Sequence, residues 1–465
     1  MSQVDTELKR LVDYFSKGKV DRAVKTAKKM IKRYPTQPLP HNILGVISSN
    51  KQDFKSAVAH YQRALRLEPG YPDAWNNLGA AYSSLGEYKK AQQAYLYSLK
   101  VGGKNAEVFF NLGNSLRLDK NCTEAAVAFE AAIAEQPNYA EAEFELGRCY
   151  DVLANYDAAL AHYRNAIELD PTELRASSSA GDILMRLGQY RDAIFYYDQA
   201  LAQNPEFFPA LAGKAKTLLN LGEREAAVRA MEHCLKLSPA DPAINHLIHA
   251  AQGGDHPVAA QEYIVELFDN YAESFDKHLV QALGYRAPEA LRELFLDHCE
   301  KDYRAHHMVD LGCGTGIVGK AFHELCDKRT GIDLSPRMLE ICLQTEAYTT
   351  LVEGELITSL NAMDSAFDLF IAADSVVYFG DIEPLSLAIA SKANSGAFIL
   401  LSTETSTAPG YTLLESGRYA HSQRYVEEIF GAAGFSLLEC RSSKLRQERG
   451  EWILGDYYLF KLNPE

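Results

Sequence analysis

Nothing in the 465-residue chain forms a Cys-x-x-Cys pair; the eight cysteines, at 122, 149, 234, 299, 313, 326, 342 and 440, are scattered. That scatter argues against a structural zinc site or a dithiol redox motif and fits a reducing compartment. No other metal-ligand spacing stands out. His306 and His307 are adjacent but lack carboxylate or cysteine partners at ligand spacing, so no metal is expected. There is no apolar run long enough to span a bilayer, and the first ten residues contain no apolar signal core. A soluble, cytoplasmic protein with no membrane partner is the expectation. Positive charge is short as well. A formal charge of −15 and a pI near 5.4 count against a broad grip on phosphate backbones, which makes nucleic acid an unlikely partner. The length exceeds one ordinary core, so two or more domains are expected.

What the chain does have, over its first half, is a period of 34 residues. One column reads Ala23, Ala57, Ala91, Ala125, Ala159, Ala193, Ala227. A second reads Leu11, Gly45, Gly79, Gly113, Gly147, Gly181, Ala215, and a third reads Pro35, Pro69, Gly103, Pro137, Pro171, Pro205, Pro239. With Trp75, Leu78, Tyr82 and Tyr95 at their places, the pattern resembles the tetratricopeptide repeat (TPR). Each unit would be two antiparallel helices that stack on their neighbours, with small residues where axes approach and proline ending each unit. Seven units are expected over residues 4–241, then a capping helix and linker over 242–254 containing Gly253 and Gly254, then a second domain over 255–465. The resemblance implies a groove for a protein or peptide. Asn77 and Asn111 stand where some such proteins carry a peptide-holding ladder, although solvated asparagine explains them equally simply.

The second domain centres on His307 to Gly316, an apolar strand running into Gly312-Cys313-Gly314-Thr315-Gly316, followed by Gly331-Ile332-Asp333-Leu334-Ser335. Strand, glycine turn, helix, and a second strand ending in a carboxylate make half of a nucleotide-binding α/β fold. Glycines let backbone approach a ligand, and turn amides would meet its polar end. Ile317 replaces the third glycine of dinucleotide oxidoreductases. Asp310 followed by Leu-Gly-Cys-Gly-Thr-Gly resembles motif I of class I S-adenosylmethionine (SAM) methyltransferases. The resemblance implies SAM as cofactor, with Asp310, Gly312, Gly314 and Gly316 around its amino-acid end and Asp333 and Leu334 at the ribose. It also implies Glu355 near the adenine amino group and Tyr271, or Phe275, in a preceding helix folded over the cofactor. The stretch from Leu267 to Leu279, with Gly284-Tyr285-Arg286 and Arg418 to Ser422, resembles bacterial proteins that join TPRs to a methyltransferase domain.

The expected architecture is therefore multidomain: an all-α TPR solenoid, then an α/β Rossmann-like class I methyltransferase domain with a seven-stranded mixed sheet. Strands are expected near 329–334, 350–353, 368–373, 397–402, 435–442 and 452–462 besides the one before Gly312. Tyr263, Leu267, Tyr271 and Phe275 form an amphipathic stripe whose simplest role is core packing. Methyl transfer is an in-line displacement that needs no fixed catalytic set. Candidates are Asp374 and Tyr378, where amino-nitrogen methyltransferases carry Asn/Asp-Pro-Pro-Tyr, though the prolines are missing here. His421 is a third, in a loop beside Arg418 and Tyr419. The functional expectation is methyl transfer to an oxygen or nitrogen of a protein or small-molecule substrate. The alternative is an interaction scaffold that binds SAM without turnover.

Overall fold

The computed structural model describes residues 3–253, 258–269, 272, 275, 284–300, 303–448 and 451–464. Tyr271 lies outside the described residues. The chain divides into two compact units, Met1–Ile183 and Leu184–Glu465, with the division falling inside the helix Leu174–Arg186.

The first unit is an all-α array of helix pairs, from Gln3–Ser16 with Val20–Arg33 to Ala140–Val152 with Tyr156–Leu169. Local chemistry starts several of these helices. The Asp53 and Asn105 side chains accept from the Ser56 and Val108 amides at 3.1 Å each, and Pro72 occupies a first turn. The glycine column has a direct steric cause. A Cβ on Gly45 would stand 2.4 Å from the Tyr61 ring, and Gly79, Gly113 and Gly147 have the same relation to Tyr95, Phe129 and Tyr163. Each ring fills the notch left by a missing side chain sixteen positions earlier. Asn77 donates to Asn42 and Asn111 to Asn76, both at 3.2 Å, so these asparagines tie neighbouring repeats together.

A further column escaped the sequence reading. Gly18, Gln52, Gly86, Lys120, Ala154, Gly188 and Gly222 all have φ between 54° and 78°. The turn inside each repeat needs one left-handed residue, and three of the seven supply it without glycine.

The second unit opens with the helices Tyr190–Gln203, Phe208–Asn220, Arg224–Leu237 and Pro242–Gln252. Its nine strands are β1 (Ala305–Leu311), β2 (Cys326–Asp333), β3 (Thr350–Glu353), β4 (Phe367–Ala372), β5 (Ala393–Thr405), β6 (Tyr411–Leu413), β7 (Tyr419–His421), β8 (Phe435–Glu448) and β9 (Glu451–Leu462). They join one sheet in the order β3-β2-β1-β4-β5-β7-β6, while β9 pairs antiparallel with β5 and β8 with β9. The seven expected strands are all present, and β6 and β7 are additional. One edge of β5 is taken by β9 as far as Glu404, while β4 ends opposite Leu401. The short β7, paired at Glu404 and Thr405, therefore continues the other edge just beyond the carboxyl end of β4. β1 is buried along most of its length, as a central parallel strand must be.

Candidate functional site

At the carboxyl ends of β1, β2 and β4 lies a cavity of ≈ 590 Å³. Its wall includes Gly312, Cys313, Gly314, Thr315, Asp333, Leu334, Glu355, Asp374 and Tyr378, most of the residues singled out in the sequence. Gly312 has φ +89°, and a Cβ there would meet the Ser375 side chain at 2.6 Å, so glycine lets the loops after β1 and β4 touch. At Gly314, φ +50°, a Cβ would meet only Phe275, at 3.9 Å; its face is open toward the cavity. Gly316, φ +96°, is outside the wall and makes the corner into the helix Ile317–Ala321, where Ala347, Cys342 and Thr345 leave no room for a side chain.

The turn amides differ from expectation. Gly312 and Cys313 donate to the Ile332 carbonyl at 2.9 Å, Gly316 donates to Cys313, and Gly314 donates to Asp333 Oδ2 at 2.7 Å. Most of the turn's N–H groups thus hold the turn itself against β2, and its contribution to the cavity is space. Asp333 also accepts from the Ser335 amide at 2.9 Å. Burial raises its carboxyl pKa, against the pull of these amides.

Asp310 is fully buried beneath the turn and stands off the cavity wall. Its Oδ2 accepts from the Tyr348 hydroxyl while Oδ1 has no partner. Burial pushes its pKa up to about 7. Tyr348 also receives the Gly319 amide at 3.0 Å, so Asp310 acts through Tyr348 on the helix after the turn. The Cys313 thiol is held well above its usual range by its hydrogen bond with Cys342 and by burial, which leaves it a poor nucleophile. Glu355 is the N-cap of the helix Leu356–Ala362, accepting from Ile357 at 3.0 Å and Thr358 at 2.7 Å.

The β4 end carries the strongest electrostatics. Asp374 has φ +57°, and its amide donates to Ser402 Oγ at 2.9 Å. Its Oδ2 accepts from Arg446 Nη1 at 2.9 Å. Arg446 is 2 % exposed, lines the cavity, and also donates to Glu404 on β5. The pairing of β8 with β9 shifts register between Lys444 and Arg446. The bulge at Leu445 leaves two successive residues buried and turns the arginine inward. No local sequence signal marks a bulge, and sequence reasoning missed Arg446, Glu404 and the cavity position of Arg418.

Two expectations are corrected. His421 lies in β7 rather than a loop, is fully buried and is not on the cavity wall; its Nε2 donates to the Phe379 carbonyl at 2.8 Å. Burial pushes its pKa down to about 4, so it is a neutral structural donor behind the wall. In the helix Gln261–Asp269, Tyr263 is buried but Leu267 is exposed, and Ile264 and Phe268 reach the cavity one position along from the expected stripe. Among the described residues no group of three or more His, Cys, Asp or Glu side chains could hold a metal, and no helix is long and apolar enough to cross a membrane.

Tetratricopeptide repeat families match residues 50–86, 80–139, 140–173 and 184–251, and a methyltransferase domain family matches residues 308–391. Among solved structures the chain is similar to MamA, at 27% identity over 35% of this chain and 94% of that one, with a TM-score of 0.34. It is similar to YrrB, described as a TPR protein with an unusual peptide-binding site, at 25% identity over 41% and 99% with a TM-score of 0.38. PilW, a type IV pilus biogenesis factor, is similar at 23% identity over 45% and 96% with a TM-score of 0.40. No curated protein matches the chain.

Proposed function

The chain joins tetratricopeptide repeats to a methyltransferase domain, and on that premise we propose that it transfers a methyl group from SAM to an oxygen or nitrogen of an acceptor, in the cytoplasm, with the repeats binding a protein or peptide. The observation that carries this is the conjunction at the β1–β2 end: the open face of Gly314, the Asp333 carboxylate it is bonded to, and the ≈ 590 Å³ cavity both look into. A glycine without steric neighbours beside a buried carboxylate suits a ligand with a polar tail and a vicinal diol. The eight free cysteines are compatible with a reducing compartment.

The residues divide the work by position. Gly312 and Gly314 give room to the amino-acid end of the donor. Asp333 has lone pairs beyond its two backbone bonds with which to take the ribose hydroxyls. Leu334, Met338, Leu356 and Ile357 offer an apolar slot for the adenine, with Glu355 at its edge. Asp310 supports the turn from beneath through Tyr348. Asp374 and Tyr378 border the place of transfer, Tyr378 packed edge-on against Phe268 at 5.6 Å. Bound SAM would supply an electrophilic sulfonium methyl whose sulfur keeps the bond electrons. The chain's part is to align the acceptor, exclude water and let the acceptor's proton leave.

Calorimetry with SAM and S-adenosylhomocysteine on the wild type, Asp333→Asn and Asp333→Ala tests the donor site. At least a tenfold loss in the alanine variant is expected, and equal affinity would remove Asp333 from the site. Incubation with methyl-labelled SAM and a size-fractionated cell extract then reports turnover. No transfer in repeated trials would favour the scaffold reading.

A further inference from the structure

The methyltransferase family match ends at residue 391, yet the cavity wall continues into the β6–β7 hairpin with Arg418. The turn of this hairpin closes through the Leu414 amide on the Arg418 carbonyl at 2.8 Å and the Gly417 amide on Leu414 at 2.9 Å. On one side it hangs from the sheet by the two pairs Glu404–Ala420 and Thr405–His421. On the other it is gripped by helices. His246, buried in the helix Pro242–Gln252, donates from Nε2 to the Gly417 carbonyl at 2.8 Å and lies 4.7 Å from the Tyr263 ring. Gly417 has φ +78°, and a Cβ there would stand 2.8 Å from the Tyr263 hydroxyl. Arg224 adds an exposed ion pair to Glu415. The residue after Gly417 is the cavity arginine.

The acids on the cavity wall are already engaged. Asp333 and Glu355 accept from backbone amides, Asp374 from Arg446, and Asp381 from the Glu383 amide at 3.0 Å and Tyr425. Arg446 is spent between Asp374 and Glu404. Arg418 differs: its side chain is 25% exposed, and its Nη1 stands 4.0 Å from Glu404, beyond hydrogen-bonding distance. Around it the wall is mainly apolar, with Val258, Ile264, Phe268, Phe379 and Pro384. A guanidinium in such a wall matches a planar oxyanion attached to an apolar body.

We propose that Arg418 determines acceptor specificity by binding a carboxylate on the methyl acceptor, and that His246 is its positioning residue through Gly417. The proposal rests on the methyltransferase reading and names the acceptor class for that cavity. It also gives the last helices of the repeat array a physical connection to the acceptor side of the site.

The test titrates the full-length protein, saturated with S-adenosylhomocysteine, with benzoate and with its neutral isostere benzamide. In the wild type benzoate binds at least tenfold tighter. Arg418→Ala abolishes that preference, and Arg418→Lys keeps part of it. His246→Phe lowers it at least threefold, and His246→Gln, which retains an N–H donor, restores it. The affinity for S-adenosylhomocysteine stays within twofold throughout. The proposal is overturned if wild type shows no preference or binds neither probe, or if the alanine variant keeps the preference. It is also overturned if Arg418→Ala weakens S-adenosylhomocysteine but not 5′-methylthioadenosine, since the anion is then the donor's own carboxylate. Failure of the wild type to bind any donor analogue sinks the methyltransferase reading instead; the benzoate preference is then read on the ligand-free protein and decides the Arg418 assignment alone.

Discussion

Replacing Arg446 by methionine asks how much of the cavity wall depends on one cation. The guanidinium is 2 % exposed, pairs with Asp374 at 2.9 Å and with Glu404, and Glu404 is itself 3% exposed. Methionine keeps most of the side-chain length but strands two carboxylates. Removing one member of a buried ion pair costs about 3–5 kcal/mol. Arg418, 4.0 Å from Glu404, offsets a part, so a loss of about 3 kcal/mol is expected. Protonation relieves a stranded carboxylate, so the deficit should shrink as the pH is lowered. Adding Glu404→Gln should recover about 1–2 kcal/mol, because the two sites share one interaction. The chain has two tryptophans, Trp75 in the first unit and Trp452 on β9 in the second. In a Trp75→Phe background, urea unfolding followed by Trp452 fluorescence reports the second unit. A loss below about 1 kcal/mol at neutral pH, or a double variant no more stable than the single, would refute the reasoning.

Other outcomes follow from features already described. Gln52→Gly, Lys120→Gly and Ala154→Gly relieve left-handed strain, and each should stabilise the first unit by about 0.5–1 kcal/mol in denaturant melts. Gly79→Ala drives a methyl into Tyr95 and should cost about 1–3 kcal/mol by the same assay. Asp310 has its pKa raised from 3.8 to about 7, so the folded state holds a proton that the unfolded state has released. Its contribution falls as pH rises through that window, and Asp310→Asn should flatten this slope in melts between pH 4 and 7. His421, lowered from 6.5 to about 4, acts with the opposite sign. Stability is lost as pH drops from 6.5 toward 4, and His421→Gln should remove that loss.

The solenoid was legible because stacking imposes the same contact every 34 residues, so Gly79 and Tyr95 announce themselves by recurrence. The glycine turn and Asp333 were legible because strand, turn and strand are contiguous. Arg446, Glu404 and Arg418 were not. They come from β8, β5 and a hairpin of three-residue strands, and converge only through sheet order and a bulge. The roles of the turn amides and of Glu355 were misjudged for a related reason. Sequence shows which groups can bond, but the folded chain had already bonded them to each other.

In the first unit, the ring that fits each glycine notch comes from the same repeat: Tyr61 for Gly45, Tyr95 for Gly79, Phe129 for Gly113, Tyr163 for Gly147. Lock and key are therefore inherited together. A duplication or deletion of 34 residues moves both at once and leaves no orphaned ring, so the array can lengthen or shorten by whole modules while its reach changes in fixed steps.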